Sequence, residues 1–207
     1  MDTTPRDVLT YWFGDPDVPS EGDGAEMKRW FSGGPAVDAE IRARFGAAVA
    51  AAMAGHLDAW ADTARGRLAL ILLLDQFTRN VHRGSPDAFA ADPRARALTR
   101  EGVTRGHDAQ LFPIQRMFFY MPLEHSEALA DHDLLQTLFD RLIADAPAHL
   151  RGKLEGYKAY ADQHRDIIVR FGRYPHRNPI LGRAHTPEEA DFLADGGPTF
   201  GQSASDG

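Results

Sequence analysis

Three groups of polar residues interrupt apolar surroundings in this chain, and their types are those that bind anions and move protons. The first is Asp75-Gln76-Phe77-Thr78-Arg79-Asn80 with Arg83 close behind. The second is Pro122-Leu123-Glu124-His125-Ser126-Glu127. The third is His164-Arg165-Asp166 with Arg170, Arg173, His176, Arg177 and Asn178. Asp75 and Arg79 are four apart, so on a helix they share a face and can pair. An ion pair at the edge of a core returns little net stability, because desolvating both charges offsets their attraction. Arg79 and Arg83, one turn apart, would suit a carboxylate or phosphate held by planar guanidinium forks.

In the second group, Glu124 and His125 follow Pro122, which predicts a break between helices where both side chains turn into a cleft. Ser126 beside His125 does not make a hydrolase. Adjacent residues rarely have nucleophile–base geometry, and no nucleophile elbow is present; Ser126 reads instead as an N-cap. In the third group, Tyr157, Tyr160, His164, Ile168 and Phe171 share one helical face, which predicts that His164 is buried. Pro175 and Pro179 bracket His176-Arg177-Asn178 and stiffen that segment, which suits ligand binding because less ordering entropy is left to lose. A metal could in principle be held by His125, His164, His176, Glu124 and Asp75. No H-E-x-x-H or comparable spacing supports one, and nearby arginines disfavour a cation. No cofactor is expected, and His56, His107, His132, His149 and His185 read as solvent-facing.

The elements that must position these groups are helices. Apolar spacing of three and four recurs throughout, and no alternating run bounded by a hairpin turn is found. Thr4-Pro5 with Asp7 has the chemistry of a helix start, and Gly14-Asp15-Pro16 ends that helix near Phe13. A long loop follows to Gly34, with one turn of helix around Met27, Trp30 and Phe31. The next helix runs from about Pro35 and is closed by Gly55. Another spans Ala64 to His82, with Leu68 to Leu74 apolar on every face and therefore central. Further helices are expected from Asp92-Pro93 to Gly102 or Gly106, Pro113 to Tyr120, His132 to Asp145, and Ala148 to Phe171 with Gly172 as its stop. Thr186-Pro187-Glu188-Glu189 is a capping box opening a last helix to Ala194. Residues 1–194 read as a single all-α domain, and 195–207 as a disordered tail.

Composition limits the function. The 207 residues are 43% apolar and 26% charged, which is the make-up of one soluble domain with a core. Without cysteine there is no disulfide, thiolate nucleophile or Cys-ligated metal. No apolar run approaches the ~20 residues needed to cross a bilayer. The first residues lack a basic and then apolar leader, so a cytoplasmic location is the expectation. A net charge of −7 argues against nucleic acid. Charge is uneven, however: Arg151 to His185 carries +5, leaving −12 elsewhere.

The Leu74–Asn80 run with Arg83-Gly84, the Pro122–Glu127 block and the string from His164 to Asn178 together resemble the bacterial family known as domain of unknown function 924. The likeness extends from Trp12-Phe13 to the Thr186 box. Thr78 stands where that family usually has proline, and Tyr174 where it usually has phenylalanine; neither is expected to touch the charged groups. The resemblance implies a tetratricopeptide-like array of antiparallel helix pairs, although no 34-residue repeat is visible, and it brings no activity.

The leading expectation is one concave pocket for a small anionic metabolite. Arg79, Arg83, Arg165, Arg170, Arg173 and Arg177 would be donors, Gln76, Asn80, His125 and Asn178 further ligand contacts, and His164, His176, Asp75 and Glu124 the acid/base or orienting groups. The alternatives are a helical scaffold that binds an acidic peptide or protein partner, and a buried structural network without a ligand.

Overall fold

Capping chemistry starts the first and last helices. Thr4 Oγ1 accepts from the Asp7 amide while the Asp7 carboxylate accepts from the Thr4 amide, opening α1 (Pro5–Phe13). Thr186 and Glu189 repeat the arrangement at α11 (Pro187–Ala194). In the computed structural model, which describes residues 3–22, 24–31 and 33–200, every regular element is helical.

Between these ends lie α2 (Ala25–Phe31) and α3 (Pro35–Met53), a 3₁₀ turn at Asp58–Asp62, and a central rod made of α4 (Ala64–Ile71), a π-helical turn (Leu72–Phe77) and α5 (Thr78–Val81). After the rod come α6 (Asp87–Ala90), α7 (Asp92–Thr104), α8 (Pro113–Glu124), α9 (Leu129–Asp145) and α10 (Ala148–Phe171), with short 3₁₀ turns at Asp108–Gln110 and Pro175–Arg177. Gly172 takes a left-handed conformation at φ 69° and ends α10. No helix among the described residues is long and apolar enough to cross a membrane.

Every residue from Leu68 to Leu74 is wholly buried, and α1, α3, α7 and α8 pack around the rod they belong to. Aromatic rings extend this core: the Trp12 and Trp30 rings lie 5.6 and 4.8 Å from Phe118, both edge to face.

Several boundaries differ from those expected. The Met27–Phe31 patch is two turns of helix rather than one, and α6 has no counterpart in the sequence reading. Pro122 does not break the chain: α8 runs through it to Glu124, and the break comes at His125. Pro122 lacks the N–H that would bond the carbonyl one turn back, and the helix carries that lost bond for two more buried residues before it ends. The α9 helix begins at Leu129, and its N-cap is Ala128, not Ser126. Ser126 instead accepts from the Ala128 amide and donates to Asp131. His132 is wholly buried and bonded to the Ser126 carbonyl, against its expected exposure.

The helix start at α4 leaves no room for a side chain at Gly66. An added Cβ would meet the Trp60 carbonyl oxygen and the Thr63 hydroxyl. Alanine favours helix by up to about 1 kcal/mol over glycine, but forced overlap with backbone costs about 1–3 kcal/mol. Gly66→Ala is therefore expected to lower the midpoint of denaturant unfolding, and an unchanged or raised midpoint would refute this account of the turn.

Candidate functional site

Asp75 is fully buried at the π-turn of the central rod. Such a turn widens the helix locally and is often found where side chains must be re-aimed. Its carboxylate cannot remain charged there without partners, and three reach it. His125 Nδ1 is 2.7 Å from Oδ1, Gln76 Nε2 donates to Oδ2 at 2.6 Å, and Arg79 Nη1 lies 3.3 Å from Oδ1. The Arg79 and His125 neighbours hold Asp75 well below the usual carboxylate range despite its burial.

The ionised Asp75 fixes the imidazole opposite it. A carboxylate only accepts, so His125 Nδ1 carries the hydrogen and donates it, and Nε2 of the neutral ring is left bare. Nε2 has no hydrogen-bond partner among the described residues. Burial lowers the pKa of His125 more than the Asp75 charge raises it, so the ring is a neutral base at neutral pH.

His125 lines a cavity of about 950 Å³ together with Gln76, Arg79, Asn80, Arg83, Glu124 and His164. Trp30, Phe31, Met121, Tyr157, Tyr160 and Phe200 supply much of the apolar wall. Glu124 lies next to His125 in sequence, at the last turn of α8, and is 4% exposed. Burial first, and the Asp75 charge second, push its carboxyl up to about 8. Its one close polar neighbour among the described residues is His164 Nε2 at 3.5 Å. His164 Nδ1 donates to the Tyr160 carbonyl at 3.0 Å, so its Nε2 faces Glu124 as an acceptor. Burial lowers His164 to about 3, so the proton this pair needs sits on Glu124. Phe200 stacks on the His164 ring at 3.7 Å and covers it. Residues 195–200 of the expected tail are thus placed, while 201–207 lie outside the described residues.

The structure therefore brings Gln76, Arg79, Asn80 and Arg83 of the first group, Glu124 and His125 of the second, and His164 of the third around one cavity, with Asp75 reaching it only through His125. The rest of the third group is elsewhere. Arg165 pairs with Asp133, Arg170 with Glu188, and Arg173 bidentately with Glu189, which also accepts from Asn178. His176 and Arg177 are buried but do not line the large cavity. Arg79 and Arg83 do line it, yet neither offers an open fork: Arg79 grips both oxygens of Asp92, and Arg83 both oxygens of Asp38. Tyr174, expected not to touch the charged groups, donates through its hydroxyl to the Glu124 carbonyl and lies under the Arg177 guanidinium at 4.4 Å.

The sequence reading missed Asp92, Asp38, Arg29, Lys153 and the aromatic wall from α2. Arg29 and Lys153 line the cavity and donate to backbone carbonyls, with no acidic partner among the described residues. No group of three or more metal-ligating side chains occurs among the described residues.

Fold and site together define an all-helical protein with a buried acid–histidine pair opening on a cavity of small-molecule size. The chain matches the family of bacterial proteins of unknown function DUF924 over residues 8–197, and it belongs to that family. Among solved structures it is similar to a protein of unknown function, ATU0120, from Agrobacterium tumefaciens. The two are 38% identical with a TM-score of 0.77, over 93% of this chain and 97% of that one. No curated protein matches the chain.

The protonation of Glu124 has a measurable consequence. Its folded pKa of about 8 lies above the ordinary 4.5, so the folded state holds a proton that the unfolded state releases between those values. The stability from the neutral carboxyl is full below pH 4.5 and lost as pH rises through 8. Glu124→Gln keeps the shape without the titration. From pH 5 to 8, wild type is expected to lose on the order of 4 kcal/mol relative to Glu124→Gln, read from unfolding midpoints, and parallel pH profiles would contradict it.

Proposed function

We propose that the large cavity binds a small molecule with an apolar or aromatic body and an anionic group, and that the protein performs acid/base chemistry on it. The observation that carries this reading is the Asp75–His125 pair, with bare Nε2, beside a carboxyl that holds its proton at neutral pH. A base oriented by a buried carboxylate and an acid raised by burial form the pairing used for proton abstraction and return. The neighbouring residues His125 and Glu124 take these two roles, with Asp75 positioning the base and His164 facing the acid at 3.5 Å.

The ligand's character follows from the walls. Aromatic and methionine side chains favour an apolar body. Arg29 and Lys153, whose charge is not matched by a paired acid, favour an anionic group at that part of the cavity. We also infer the tetratricopeptide-like arrangement of antiparallel helix pairs, supported by the short connections that fold α8 on α9 and α9 on α10. The alternative, a scaffold for an acidic peptide, has less support, because Arg165, Arg170 and Arg173 spend their charge on acids of the same chain.

A thermal-shift screen of carboxylated and phosphorylated metabolites with apolar or aromatic bodies tests this reading. Gly156 lines the cavity and has open space around its Cβ position, so Gly156→Phe should fold and obstruct binding. Hits are expected to lose at least tenfold in affinity against Gly156→Phe. His125→Asn should bind a true substrate within about threefold and turn it over at least 100-fold more slowly, since positioned acid/base groups contribute about 10²–10⁴. Hits that bind Gly156→Phe as tightly as wild type would place the ligand elsewhere, and full turnover by His125→Asn would remove it from the chemistry.

A further inference from the structure

Arg177 is a buried cation with almost nothing attached to it. Its side chain is 7% exposed, and its guanidinium makes no hydrogen bond among the described residues. The nearest acidic oxygen, Asp92 Oδ2, is 3.6 Å away, and the buried Nε has no partner at all. What lies against it are ring faces, Tyr174 at 4.4 Å and Phe89 at 4.7 Å. Cation–π contacts recover part of the lost hydration, but they leave the buried Nε–H without an acceptor. Burial and the nearby Arg79 charge lower its pKa to about 10, the behaviour of a cation short of a counter-charge.

Arg177 lines a second cavity of about 260 Å³, walled also by Pro86, Phe89, Pro93, Leu181 and His125. Two acids, Asp92 and Glu127, belong to the same wall and act on Arg177 through their charge, yet neither hydrogen-bonds its guanidinium. Both oxygens of Asp92 are taken by Arg79, and both of Glu127 by Arg183 at 2.7 and 2.9 Å. Arg96, the other cation of the wall, is spent on Ser126 and Asp131. Arg177 is thus left without a carboxylate of its own to grip, and the free volume lies beside it.

We propose that this small cavity is a binding site for a compact carboxylate, whose two oxygens pair bidentately with the Arg177 guanidinium. The planar fork of arginine matches a carboxylate in geometry. A monoanion suits the site better than a phosphate dianion, which would meet the Asp92 and Glu127 charges in the same wall. The apolar walls accept the methyl or methylene that a small organic acid carries. His125 is the side chain that both cavity walls share among the described residues, so a carboxylate here would sit on the far side of the proposed base from the large cavity. The source is either a free small acid or the carboxylate end of a larger ligand. Binding at Arg177 does not depend on turnover in the large cavity, and the two readings can fail separately.

The experiment is a titration of the full-length chain with sodium acetate against matched sodium chloride, followed by thermal unfolding and by NMR with ¹³C-labelled acetate. Acetate at ten times its Kd is expected to raise Tm by about 3–6 °C, with nuclear Overhauser contacts from its methyl group to the rings of Phe89 and His125. The rise should vanish in Arg177→Gln and persist in Gly156→Phe, which obstructs only the large cavity. If Arg177→Gln fails to fold, the Overhauser contacts in wild type decide. Contacts to those rings sustain the site; their absence with acetate and with longer-chain carboxylates alike, or an equal rise from chloride or inorganic phosphate, overturns it. If acetate gives no contacts to those rings but longer-chain carboxylates do, and Gly156→Phe abolishes them, the carboxylate belongs to a ligand seated in the large cavity. The free-acid form of the proposal then fails while the Arg177 pairing stands.

Discussion

A carboxylate in the middle of the most apolar helix of the protein is the constraint that organises the site. Asp75 follows seven residues that are all wholly buried, a place where an unpaired charge would cost several kcal/mol. The fold meets that cost with groups from two directions. Gln76 and Arg79 come from the same rod, and His125 from the end of α8. Once His125 is drawn to Asp75, its neighbour Glu124 is carried into the same low-dielectric region, and its proton is retained there. The partners keep the charge on one acid and burial removes it from the other, although both sit in the same low-dielectric region.

The arginines look different in space than along the chain. From Arg151 to His185 the charge is +5 within a chain of −7, which reads as a cationic patch. The fold interleaves it with acids from other elements: Arg165 meets Asp133, Arg173 meets Glu189 and Arg183 meets Glu127. The segment is basic because its partners lie outside it or at its far end. Arg177 is the buried departure, flanked by rings and set back from a carboxylate already claimed by Arg79.

Local chemistry was legible in the sequence wherever the interaction is local. The capping boxes at Thr4 and Thr186, the Gly172 stop, the helical class and the Asp75–Arg79 pairing all rest on spacings of three or four residues. The burial of His164 followed from its helical face. The long-range choices were not legible. Asp75 and His125 are fifty residues apart, and no periodicity says that this histidine, rather than His176, finds the carboxylate. The arginines at 79 and 83 were read as ligand forks because Asp92 and Asp38, which close both, lie on helices whose approach only packing determines. The break expected at Pro122 came only after Glu124: proline costs the helix one bond to the preceding turn, and the buried α8 side chains on both sides of it hold the helix together through packing.

The aromatic wall and the proton inventory of the large cavity are one property. Trp30, Phe31, Tyr157, Tyr160 and Phe200 line the same space as Glu124 and His164, and it is the exclusion of water that raises the acid and lowers the imidazole. Side chains that would hold an apolar ligand body therefore also create the neutral acid and neutral base that would act on it. A polar wall would return Glu124 toward the ordinary carboxylate range and leave the Asp75–His125 pair facing an ionised neighbour. Since His125 also borders the small cavity, the two spaces are coupled through a single imidazole whose tautomer Asp75 fixes. Any charge placed beside Arg177 would act on that ring from behind, at short range and with little water between them.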